Sequence, residues 1–142
     1  MNHKVETGIA PTKLVNAAIK LYYDGKIDDL FIRLSNLIKT YPNTYIFYNI
    51  LGSIYFHKRL YTEAEKCFLK TIDLKPNHPY AYNNLGNLFM EISRIKEAEE
   101  NLKYAIKLNN KYYEAYNNLG KLLQDTNRLE DSETNLRKAL EI

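Results

Sequence analysis

One interval governs this chain. The stretch "AYNNLG" occurs at Ala81–Gly86 and again at Ala115–Gly120, with a looser copy, "FYNILG", at Phe47–Gly52. Gly52, Gly86 and Gly120 therefore stand 34 residues apart. The same register relates Leu51, Leu85 and Leu119, then Ala64, Ala98 and Ser132, then Phe68, Leu102 and Leu136, then Thr71, Ala105 and Ala139. Ala18 stands one interval before Gly52, and Pro42 one interval before Pro76. A fixed period of this length means stacked supersecondary units, each too small to bury its own apolar face. The units run over residues 11–44, 45–78, 79–112 and 113–142, after a tail of residues 1–10; the first is diverged and the last stops short.

Each unit reads as two helices. In the third, Tyr82, Leu85, Gly86 and Phe89 recur at three and four residues, one stripe of a helix. After "ISR" a second stripe holds Ile95, Ala98, Leu102, Ala105 and Ile106. Pro76 stops the preceding unit, because proline cannot continue a helix, and Asn109-Asn110 does the same work one unit later. The fold class expected is all-α, built of antiparallel helix pairs. Where two such helices cross closely one side must lack bulk, so Gly86 is expected to face Ala98 and Ala105. The first unit departs from this rule. It carries Leu30 and Leu37 where the others have Ala, Thr or Ser, and Ala17 where the others have Leu. That exchange predicts bulk swapped across one interface with core volume conserved.

The order large-x₂-Leu-Gly-x₂-aromatic, small-x₃-aromatic or Leu, small, Pro resembles the tetratricopeptide repeat. It is carried by Tyr48, Leu51, Gly52, Tyr55, Ala64, Phe68, Thr71 and Pro76, and by their counterparts one and two intervals on. The first unit matches through Ala18, Leu21, Leu34 and Pro42. The resemblance implies a right-handed superhelical stack, an α-solenoid, whose first helices line a concave groove. It implies a scaffold for protein binding rather than a named activity.

With the apolar stripe buried, the opposite face of each first helix is the candidate surface. It holds Asn16 in the first unit, Asn49 and Ile50 in the second, Asn83, Asn84 and Asn87 in the third, and Asn117, Asn118 and Lys121 in the fourth. An asparagine carries both an acceptor and a donor, so a row of them can bond the amides of an extended peptide while barely reading its side chains. Asn16, Asn84 and Asn118, interrupted by Ile50, resemble the asparagine ladder in the arrays of O-GlcNAc transferases. A carboxylate clamp of the kind that grips chaperone C-termini is not expected. Val15 and Ile19, or Asn49 and Ser53, stand where its first Lys and Asn belong, and Tyr80 or Glu114 where its later Lys belongs.

Composition narrows the classes further. A net charge of +3 spread over 142 residues makes no case for nucleic acid. No apolar run is long enough for a membrane span. One cysteine, Cys67, allows no internal disulfide, and with no leader pattern at "MNHKVETGIA" a cytoplasmic setting is expected. His3, His57 and His78 have no ligand partners at metal spacing, so neither metal nor other cofactor is expected, and no catalytic role in the array itself. "YYDGKIDDL" lacks the order of a calcium loop; Asp24-Gly25 reads as the turn between helices. The chain is thus expected to bind a protein or peptide partner. The alternative is a substrate-presenting array of a transferase whose catalytic domain lies beyond residue 142. Self-association through an uncapped end at Leu136, Leu140 and Ile142 is a further expectation.

Overall fold

The computed structural model describes residues 7–142, which form eight helices and no strand. They are α1 (Thr12–Tyr23), α2 (Ile27–Thr40), α3 (Tyr45–His57), α4 (Tyr61–Leu74), α5 (Pro79–Glu91), α6 (Ile95–Leu108), α7 (Tyr113–Asp125) and α8 (Leu129–Glu141). The all-α expectation of paired helices holds. Close contacts group them into two compact units, one up to Pro76 and one over Asn77–Ile142. The first contains α1–α4 and the second α5–α8.

Every pair is closed by the same turn. Gly25, Arg59, Ser93 and Asn127, two residues past each first helix, all have φ between 59 and 69°. The following amide reaches back to the helix: Lys26 to Leu21, Leu60 to Tyr55, Arg94 to Phe89 and Arg128 to Leu123. This is the Schellman arrangement, in which a left-handed residue lets the last carbonyls find donors. Only Gly25 takes that conformation without steric cost; Arg59 and Ser93 are held in it by the packing around them.

The core of the first unit gathers Ala18, Leu30, Leu34, Phe47, Ile50, Leu51, Ile54 and Cys67. In the second, Leu85, Ala98, Leu102, Leu119, Leu122 and Leu123 are buried. Ala105, Tyr112 and Ala115 form a cluster flanked by Tyr82 and Ile106. Residues 7–10, expected as tail, are tied to the turn before α3. The Asn43 backbone N–H donates to the Gly8 carbonyl at 2.7 Å, and the Ala10 N–H donates to Thr44 Oγ1 at 2.7 Å.

Two packing expectations need correction. A Cβ on Gly86 would lie 2.6 Å from Leu102 Cγ; on Gly52 it would meet Phe68 at 2.6 Å, and on Gly120 Leu136 at 2.7 Å. The glycine therefore admits the large residue that lies between the small ones, and the small ones let the helix backbone approach. The Ala98 carbonyl, one of the expected partners, lies farther away at 3.4 Å. Where serine replaces alanine, the buried Ser132 hydroxyl donates to the Gly120 carbonyl at 2.7 Å and leaves no unmet donor.

The second correction concerns the first pair. Ala17 is exposed, whereas Leu51, Leu85 and Leu119 at the same place are buried. Leu30 and Leu37 do not fill the missing volume. α1 and α2 approach each other far less closely than the helices of the other three pairs, and a cleft of about 260 Å³ opens between them. Bulk on α2 props the helices apart instead of compensating for its loss on α1.

Candidate binding face

The second unit brings the amide-rich positions of α5 and α7 together. Asn118 Nδ2 donates to Asn83 Oδ1 at 3.0 Å, across 35 residues of sequence. The Asn83 side chain also bonds the Tyr112 hydroxyl. Burial is the main reason this hydroxyl is pushed well above the usual tyrosine range. The charges of Glu114 and Tyr80 add to the shift, and the bond from Asn83 opposes it. Tyr80 packs on Tyr112 with ring centroids 4.9 Å apart, and His78 on Tyr80 at 5.4 Å.

Asn83 is 4% exposed, so the expectation that it faces a ligand is corrected. α7 and Tyr112 cover it, and its carbonyl holds the neighbouring helix. Asn84, Asn87, Asn117 and Asn118 are half-buried and Lys121 is exposed. Asn118 gives one of its two amide N–H groups to Asn83, and its Oδ1 accepts nothing among the described residues. Asn84 has a partner of its own.

In the first unit Ile50 is 7% exposed and belongs to the core with Phe47 and Ile54, again correcting a surface assignment. The reason is that α1 lies against α3 and carries the partly buried Val15 and Ile19 into that core. Asn49 is half-buried and bonded, and Asn16 is exposed on α1. Sequence reasoning missed Tyr112. Its counterparts are Thr44 and His78, so no apolar pattern marks the place.

Cys67 is buried, and desolvation, aided by the Glu63 charge, pushes its thiol up to about 11. It stays protonated and unreactive at neutral pH. His57 is exposed at the end of α3, where its ring packs on Phe56. His3 lies outside the described residues. Among those residues no group of three potential metal ligands occurs, and no helix is long and apolar enough to cross a membrane.

Paired helices in 34-residue register, closed by one turn type, define a helical-hairpin repeat. Residues 45–78, 67–100 and 114–142 each match a model of the tetratricopeptide repeat. The chain contains tetratricopeptide repeats. No curated protein sequence matches it significantly. Its fold is similar to the crystal structure of MamA, with a TM-score of 0.79 and 21% identity over 90% of this chain and 75% of that one. It is also similar to YrrB, described as a TPR protein with an unusual peptide-binding site. There the TM-score is 0.73 and the identity 20%, over 89% of this chain and 66% of that one. A third similar structure is the first TPR of Spaghetti (RPAP3) bound to the HSP90 peptide SRMEEVD. Its TM-score is 0.74 and its identity 20%, over 86% of this chain and 94% of that one.

Proposed function

We propose that this chain is a protein-interaction module that binds a peptide segment of a partner on the α5–α7 face. The observation that carries the reading is the Asn118–Asn83 bond. It holds two first helices side by side with the Asn118 carbonyl oxygen left for a ligand N–H. Asn84, Asn87, Asn117 and Lys121 flank it. A peptide backbone needs alternating acceptors and donors, and side-chain amides supply both at little cost in sequence selectivity. The bound peptide of one similar fold and the peptide-binding site described for another support the class of ligand. Of the ladder first read as Asn16, Asn84 and Asn118, the reading rests on Asn84 and Asn118.

A peptide array probed with the wild type, Asn84→Ala and Asn118→Ala tests this. Loss of binding in both variants, with unchanged circular dichroism, supports the face. Binding unchanged in both removes it. The peptide SRMEEVD serves as a contrast and is expected to bind weakly. Tyr80 and Glu114 supply no cation where the clamp needs one, and a terminal carboxylate is held mainly by charge-assisted bonds.

A further inference from the structure

The cleft between α1 and α2 is a second surface, unrelated to the amide face. Leu14, Ala17 and Leu21 line it from α1, and Leu30, Arg33 and Leu37 from α2. In the α5–α6 pair the place of Ala17 is taken by Leu85, which is buried. At about 260 Å³ the cleft is smaller than most cofactor sites and suits a few apolar side chains of one helix face.

Its charge identifies what such a helix would carry. Lys13 and Lys20 lie four residues before and three after Ala17, on the strip of α1 beside the cleft, and both are exposed. Arg33 is in the wall itself. None of the three pairs with a carboxylate among the described residues. Asp24 and Asp29 lie toward the turn that joins the two helices. The lysines also exclude one occupant. They stand where α3 has Phe47 and Ile54, and α7 has Ala115 and Leu122, all buried. Another helix stacked there in repeat register would have to bury two ammonium groups, which is strongly unfavourable.

We infer that this cleft receives a short amphipathic helix of a protein partner. Two or three of its apolar side chains enter between Ala17 and Leu37, and its carboxylates meet Lys13, Lys20 and Arg33. Apolar anchors at helical spacing would supply affinity, and the charges orientation and on-rate.

The test is a phage-displayed library of helix-forming 16-residue peptides, selected on the full chain and counter-selected on Ala17→Leu. That variant fills the cleft with the residue the other pairs use, and its melting curve reports that it folds. Enriched peptides are then measured by fluorescence anisotropy against the wild type, Ala17→Leu, Lys13→Glu and Arg33→Glu. Expected are apolar residues three and four apart, an excess of Asp and Glu, and binding weakened about ten-fold or more by Ala17→Leu. The charge reversals should weaken it too, and added salt likewise. The inference is overturned if no peptide distinguishes wild type from Ala17→Leu, or if the enriched peptides are basic. A chain whose mass rises with concentration, and does so less in Ala17→Leu, would put a second copy in the cleft and overturn the partner assignment.

Discussion

The α5–α6 and α1–α2 pairs come from the same 34-residue plan and end in opposite states. In α5–α6 a glycine admits Leu102, Leu85 is buried, and Ala98 and Ala105 let the backbones close. In α1–α2 the glycine has become Ala18, the leucine Ala17, and the alanines Leu30 and Leu37. At these four places α1–α2 carries more bulk, two leucines and two alanines against one leucine, two alanines and a glycine, and yet it stays open. Core volume alone does not close a helix pair; small residues have to sit where the backbones cross.

The sharpest way to break this comparison is to place a valine at the same position of both pairs. Gly86→Val drives a side chain into Leu102 and is expected to cost about 3 kcal/mol. Ala18→Val, beside an open cleft, is expected to cost about 1 kcal/mol, chiefly from packing and helix propensity. Urea unfolding of each variant measures this, and equal losses would mean that the two pairs are equally tight. Next in size is Asn83→Ala. It leaves the Asn118 amide and the Tyr112 hydroxyl without their shared partner, for an expected loss of about 2 kcal/mol by the same method. Ala17→Leu should act the other way and raise stability by about 1 kcal/mol through filling the cleft. A loss instead would mean that α1 and α2 cannot close over the added side chain.

The smallest expected difference is in alkali. The Cys67 thiol is raised from 9.0 to about 11 by burial, so its contribution to stability is complete below pH 9 and is lost as pH climbs toward 11. Tyr112 in the second unit is raised further from its ordinary value of 10.0, so its contribution begins to be lost only above pH 10. Cys67→Ala should therefore flatten the stability profile between pH 9 and 10 and leave the steeper fall above it. Melting curves taken across that range check this.

The period, the helix pairs and the burial of the Leu-Gly stripe were legible because each repeats in register and each copy corroborates the others. The αL turns were half legible. Gly25 and Asn127 advertise them, but Arg59 and Ser93 take the same φ only because the flanking helices fix the chain ends. Asn83 was misread for a different reason. A helical wheel assigns a residue to a face of its own helix and is blind to what another helix lays over that face. Here α7 and Tyr112 cover it. Ile50 follows the same logic under α1. The cleft in the first pair was beyond the pattern altogether, since swapped residue sizes do not reveal whether the helices close.

Native-state hydrogen exchange on the full chain, with Ala17→Leu alongside, tests the open-pair account most directly. Amides of α1 from Leu14 to Tyr22 should exchange through low-energy opening, well before those of α5 from Asn83 to Met90, because a loosely packed helix opens locally at little cost. Ala17→Leu should slow exchange in α1 and leave α5 unchanged. Equal protection of the two helices in the wild type, or an α1 indifferent to the added leucine, would contradict it.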